Sequence, residues 1–124
     1  MYKIILSFWY NWFIFASCLI VLETRIENKE LVKLYEKGHS KKLKLPEHVI
    51  DKYFATIQKI EAAANIYDLS ADIGLHFERL KGYENLWSMR LSGKYRLLME
   101  ITWQDEKQTI GTFSLTDITN HYGD

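Results

Sequence analysis

The chain has 124 residues, the length of one ordinary domain, and its 48% hydrophobic and 15% aromatic content can fill a core, which excludes a disordered polyampholyte. Lysine plus arginine and aspartate plus glutamate are both 16, so the net charge is zero and only its distribution can point to a polyanion. Cys18 is the sole cysteine, which excludes an internal disulfide and a thiolate zinc site and fits a reducing compartment.

The first stretch does not match the rest. From Ile4 to Leu22 the only strongly polar side chains are Ser7, Asn11 and Ser17. A run of that length can span a bilayer, and Lys3 before it has the character of a signal n-region. Phe15-Ala16-Ser17-Cys18 has the form of a lipoprotein cleavage box, with Phe where Leu is usual. Against both, the run carries Phe8, Trp9, Tyr10, Trp12, Phe13 and Phe15, an odd aromatic density for a signal core. A third reading is that translation starts further on, between Ile20 and Leu22. Residues 1–19 are therefore set apart as a hydrophobic extension, a misassigned start or an anchor or signal, and 20–124 as the folded domain.

Ile20 to Ile26 is short, apolar and partly alternating, and predicts a strand. Asn28 is a good helix N-cap, Leu31, Leu34 and Tyr35 sit at helical spacing, and Gly38 suits the stop. His39 to Lys44 is a basic loop, and Ser40 within it has no obvious partner. Pro46 suits the start of a helix. Val49, Tyr53, Ile57, Ile60 and Ala64 make an apolar stripe that predicts a second helix over 46–64. Beyond Asp72-Ile73-Gly74 the period falls to two. Trp87, Met89 and Leu91 alternate with Ser88 and Arg90, and Tyr95, Leu97, Met99 and Ile101 alternate with Arg96, Leu98 and Glu100 across a Ser92-Gly93-Lys94 turn. That is a hairpin with one apolar face and one polar, outward face. Residues 108–119 supply a further strand. The whole predicts an α+β domain in which an N-terminal strand and two helices pack on an antiparallel sheet of three to four further strands.

The charges are unevenly spread. Arg25, Lys29, Lys33, Lys37, Lys41, Lys42 and Lys44 crowd the front, and Arg79, Lys81, Arg90, Lys94 and Arg96 crowd the sheet. Glu100, Asp105, Glu106, Asp117 and Asp124 make the tail acidic. A basic front can bind a polyanion despite a neutral total; equally, such runs serve as solvated faces. His39 and His48 read as surface residues, His76 precedes a strand and His121 lies near the end. No two share metal-ligand spacing on one element, so no metal is assigned. No Gly-rich phosphate loop or nucleophile elbow occurs, which argues against nucleotide enzymes and common hydrolases.

What remains is the polar sheet face. Arg90 and Arg96 are expected side by side on adjacent strands, Glu78 and Lys81 on the strand before, and Asn120, His121 and Tyr122 at the chain end. Guanidinium groups suit a phosphate, since they grip two oxygens at fixed geometry. Alternatively, Arg90 and Arg96 pair with Glu78 and Glu100 as a surface ladder.

Several segments together resemble one family. Asn28-Lys29-Glu30-Leu31-Val32-Lys33-Leu34-Tyr35-Glu36-Lys37-Gly38 resembles the first helix of HigB-type toxins of the RelE/ParE superfamily. Leu45-Pro46, and Ile60-Glu61-Ala62-Ala63-Ala64 followed by Asp68-Leu69, resemble their second helix and its exit. Leu80-Lys81-Gly82, Trp87-Ser88-Met89-Arg90-Leu91 and Tyr95-Arg96-Leu97 resemble the central strands, and Ile118-Thr119-Asn120-His121-Tyr122 the last. The resemblance spans residues 20–122. It implies ribosome-dependent cleavage of mRNA in the cytoplasm, without metal or other cofactor, held in check by a HigA-type helix-turn-helix antitoxin through which operator DNA is reached. It implies that Lys81 and Arg96 stabilise phosphate charge, with Glu78 or His121 as base and Tyr122 stacking on a nucleobase or helping the leaving oxygen. Lys41, Lys42, Lys44, Arg79, Arg90, Lys94 and Asn120 are the RNA-contact candidates. Many relatives end Asp-Tyr-His where this chain has Asn120-His121-Tyr122, and many carry His where Glu78 stands. The superfamily also includes ParE-type gyrase poisons, so a binder without nuclease activity is the second reading, as is a degenerate toxin serving only its antitoxin.

Overall fold

The structure is a computed structural model that describes residues 2–4, by their backbone, and 22–120. The apolar run over 5–21, with Cys18, and the pair His121 and Tyr122 lie outside the described residues. In chain order the elements are β1 (Tyr2–Ile4), β2 (Glu23–Ile26), α1 (Lys29–Lys37), α2 (Glu47–Ala62), α3 (Ile66–Ala71), a 3-10 turn (Ile73–Leu75), β3 (Glu78–Arg79), β4 (Trp87–Arg90), β5 (Arg96–Trp103) and β6 (Gly111–Thr119). The sheet runs β1-β2-β6-β5-β4-β3.

The four strands β3 to β6 are mutually antiparallel, and β2 joins them parallel to β6, so the sheet is mixed. A parallel neighbour needs a crossover, and the helices that follow β2 lie along that connection. β1, which the sequence pattern does not signal, pairs antiparallel with the outer edge of β2.

Local chemistry sets the helix ends. Asn28 is extended, and its side-chain oxygen accepts from the Glu30 and Leu31 N–H groups at 2.8 and 3.4 Å. Gly38 closes α1 at φ 79°, a left-handed conformation that glycine adopts without a Cβ clash. Helix α2 stops at Ala62, two residues short of the predicted end. Ala63 is extended, the Ala64 N–H is taken by the Asp68 carboxylate at 2.8 Å, and Asn65 caps the next helix through the Tyr67 N–H at 2.9 Å. That next helix, α3, has six residues, too few to register as a period.

The core lies between the helices and one face of the sheet. Leu31 and Leu34 of α1 and Val49, Tyr53, Ile57 and Ile60 of α2 are buried against Ile26, Met89, Leu97, Met99, Phe113 and Leu115. Burying such side chains contributes about 1.5–3 kcal/mol each. The Tyr53 hydroxyl donates to the Leu31 carbonyl at 2.9 Å, tying α2 to α1, and burial pushes its phenol far above the ordinary range. A register shift in β6 corrects simple alternation. Met99 lies opposite Leu115 but Leu98 opposite Asp117, so Thr116 is the extra residue of a bulge. The bulge keeps Ile118 in the core and turns Asp117 and Thr119 to the other face. Among the described residues, no helix is long and apolar enough to cross a membrane.

Candidate functional site

Strand register builds the site on the sheet face away from the helices. Arg90 lies directly across from Arg96, and Arg96 across from Thr119. One row over, Glu78 lies across from Ser88, Ser88 from Leu98 and Leu98 from Asp117. Side chains directly opposite in a sheet share a face, so these residues form one surface.

At its centre three residues converge. Arg96 Nη1 lies 3.0 Å from Glu78 Oε2, and Arg96 Nη2 donates to the His76 carbonyl at 3.0 Å. His76 Nε2 lies 3.3 Å from the same Glu78 oxygen. The Arg96 side chain is 3% exposed, against 39% for Glu78 and 44% for His76. The buried guanidinium is thus a fixed positive base, with a carboxylate and an imidazole above it in reach of solvent. The backbone around them is pinned. Phe77, between His76 and Glu78, stacks on Trp87 with ring centroids 5.1 Å apart and leans on Phe113 at 5.9 Å. His76 itself is left-handed, at φ 48° and ψ 51°.

Two expectations need correction. Arg96 is on the predicted face but is buried rather than outward, because Glu78 and the His76 carbonyl close over its head group. The alternative ladder is met in part: Glu78 pairs with Arg96 at 3.0 Å, while Glu100 is exposed. Lys81 is not on the strand: it sits in the exposed turn past β3, just before Gly82 at φ 87°.

The remaining candidates scatter. Arg90 is half-buried beside Arg96, Lys94 is exposed in the β4–β5 turn, and Asn120 is exposed just past β6. Arg79 donates to the Glu84 carbonyl at 2.7 Å and the Tyr83 carbonyl at 3.5 Å, bracing its own hairpin. Lys41, Lys42 and Lys44 are exposed in the α1–α2 loop. Contrary to expectation, Ser40 in that loop has partners. It is 8% exposed, its hydroxyl donates to Glu30 Oε1 at 2.6 Å and accepts from the Leu43 N–H at 3.2 Å. The Ser40 hydroxyl, with Lys33 behind it, holds the Glu30 carboxyl below the usual range.

His76 is the site residue that sequence reasoning missed. Its signal was a histidine two residues before Glu78, near enough along the chain for the two side chains to meet. Ser88 also escaped notice. Its hydroxyl is fully buried opposite Glu78 and has no hydrogen-bond partner among the described residues. Among the described residues, no cluster of three or more His, Cys, Asp or Glu side chains could hold a metal.

Helices packed on one face of a mixed sheet, with a buried arginine at the centre of the open face, make this an α+β domain of the expected architecture. The family model of RelE-like toxins of the type II toxin–antitoxin system HigB matches residues 24–112. The chain belongs to this HigB-like toxin family. The comparison with curated proteins finds no match.

Proposed function

We propose that this toxin is a ribosome-dependent endoribonuclease that cleaves mRNA and so inhibits translation. The observation that supports it is the fixed arrangement of Arg96, Glu78 and His76 on the open sheet face. RNA cleavage by attack of a ribose 2′-hydroxyl on the adjacent phosphate needs a cation where negative charge grows and a group to take the proton. A preorganised cation is worth most there, because it spends no reorganisation at the moment of reaction. Arg96 supplies such a charge from below the surface, and Lys81 a second from the neighbouring turn. Neither role needs a metal. The exposed lysines of the α1–α2 loop suit ribosomal RNA, since phosphate contacts add affinity through counterion release.

In this reading the protein works in the cytoplasm with a HigA-type helix-turn-helix antitoxin, and reaches operator DNA only through it. The antitoxin need not cover the site, since holding the toxin off the ribosome suffices. The C-terminal order Asn120-His121-Tyr122 favours the second reading, a ParE-like binder or a degenerate toxin. A cell-free translation reaction carrying a reporter mRNA separates them. The nuclease reading expects cleavage inside the translated region that stops when ribosomes are withheld. The binder reading expects translation or supercoiling to fail with the mRNA intact.

A further inference from the structure

We propose that His76 is the proton-accepting residue of this site and that Glu78 is the positioning residue that orients it; this rests on the endoribonuclease reading above. Glu78 Oε2 is already engaged from two sides, by Arg96 Nη1 at 3.0 Å and His76 Nε2 at 3.3 Å. An oxygen so engaged is poorly placed to receive a further proton, yet well placed to hold one on the imidazole nitrogen facing it. With that proton on Nε2, the neutral ring presents Nδ1 as an acceptor. His76 is also 44% exposed, so an RNA strand can touch it directly, while Arg96, 3% exposed, acts from beneath.

The backbone gives an independent reason. Apart from glycines, His76 is one of two described residues with positive φ, the other being Gln108 in a distant turn. A left-handed residue carries a conformational cost that its surroundings must offset. Here they do: its N–H donates to the Ile73 carbonyl at 3.1 Å, its carbonyl accepts from Arg96, and the next side chain, Phe77, is stacked on Trp87. Strain held this firmly next to a carboxylate and a buried cation is the pattern of a preorganised site. The charged groups around the ring are Glu78 from β3 and Arg96 from β5, with Arg90 of β4 beside Arg96.

In the step proposed, the 2′-oxygen forms a bond to the adjacent phosphorus while its proton passes to His76 Nδ1. The bond from phosphorus to the 5′-oxygen breaks, that oxygen takes a proton from water, and the hydroxide left takes the proton from His76, which returns to its neutral form. The products are a 2′,3′-cyclic phosphate and a 5′-hydroxyl. Arg96 stays charged throughout, and Glu78 stabilises the imidazolium that forms.

The test uses the full chain in the cell-free translation reaction, with initial cleavage rate read against pH. His76→Asn accepts the left-handed backbone and lacks an acid–base group. It should cleave about 100-fold more slowly or worse, bind ribosomes like the wild type, and lose the acid limb of the pH–rate profile. His76→Gly should be equally slow and be rescued by free imidazole, which a merely structural role would not allow. Glu78→Gln should keep the limb but cleave more slowly, because the imidazolium that forms loses its counter-charge. Wild-type rates in His76→Asn, or an unchanged acid limb with no imidazole rescue in His76→Gly, would overturn the assignment while leaving the nuclease reading intact. A wild-type protein that does not cleave at all would overturn both.

Discussion

Arg96 and Glu78 meet at 3.0 Å across the boundary between core and solvent, the arginine 3% exposed and the glutamate 39%. The pair is half of a buried ion pair, and its cost and value differ from those of a surface bridge. A guanidinium taken out of water needs its partners, while a carboxylate still half in water can be drawn toward a substrate.

Substitutions at Arg96 should therefore affect fold and function together. Arg96→Ala leaves Glu78 without its cation and a void beneath it, and should cost about 2–4 kcal/mol in urea unfolding. Arg96→Lys keeps the charge but not the fork that reaches both Glu78 and the His76 carbonyl. It should fold, lose about 1 kcal/mol, and slow cleavage by about 100-fold. Growth arrest by Arg96→Lys at the wild-type level would show that the guanidinium geometry is not needed.

The basic loop should act on binding rather than turnover. Lys41→Ala, Lys42→Ala and Lys44→Ala should each weaken ribosome association modestly, and the triple variant should flatten its dependence on salt by about two to three units of slope. Filter binding over a salt series measures this. A slope equal to that of the wild type would return the loop to a solvated surface.

Gly111 is fixed by space. A Cβ there would lie 2.5 Å from the Thr102 carbonyl oxygen, on the strand beside it. Backbone does not yield as a flexible side chain would, so Gly111→Ala should destabilise by about 1–3 kcal/mol and leave the rate constant of the folded fraction unchanged. Thermal melting with a parallel cleavage assay checks both halves.

Acid stability should depend on the turn between β5 and β6. The Asp105 carboxylate accepts from the Thr109 hydroxyl and from the Thr109 and Ile110 N–H groups. The Thr109 hydroxyl first, then these N–H groups, hold its carboxyl below the ordinary value, and Lys59 does the same for Asp72 at 2.7 Å. A lowered carboxyl stabilises the fold above its unfolded pKa and loses that contribution as pH falls through the folded one. Stability should therefore decline from about pH 5 downward. Asp105→Asn should melt earlier at neutral pH and lose less on acidification, as differential scanning calorimetry across pH would record.

Much of the fold was legible because its signals are local. Asn28 and Gly38 bracket α1, Pro46 opens α2, and the alternation through Met89 and Leu97 sets the hairpin. What was not legible is non-local or non-periodic. The parallel seat of β2 on β6 depends on a crossover, not on any residue of β2. The Thr116 bulge breaks the period on which strand reading relies. The same limit applies to the site. The shared face of Arg90 and Arg96 follows from alternation, but the burial of Arg96 depends on where the 76–78 segment lies over it. Lys81 reads as strand by its neighbours, and the left-handed Gly82 turns it off the sheet.

The most direct test of the central claim is a primer-extension map of a reporter mRNA translated in a cell-free reaction with the purified toxin. Cuts are expected within the translated frame, at full strength for the native chain, reduced about 100-fold in Arg96→Lys and absent when initiation is blocked. Intact mRNA alongside arrested translation, or cuts that persist without ribosomes, would contradict it.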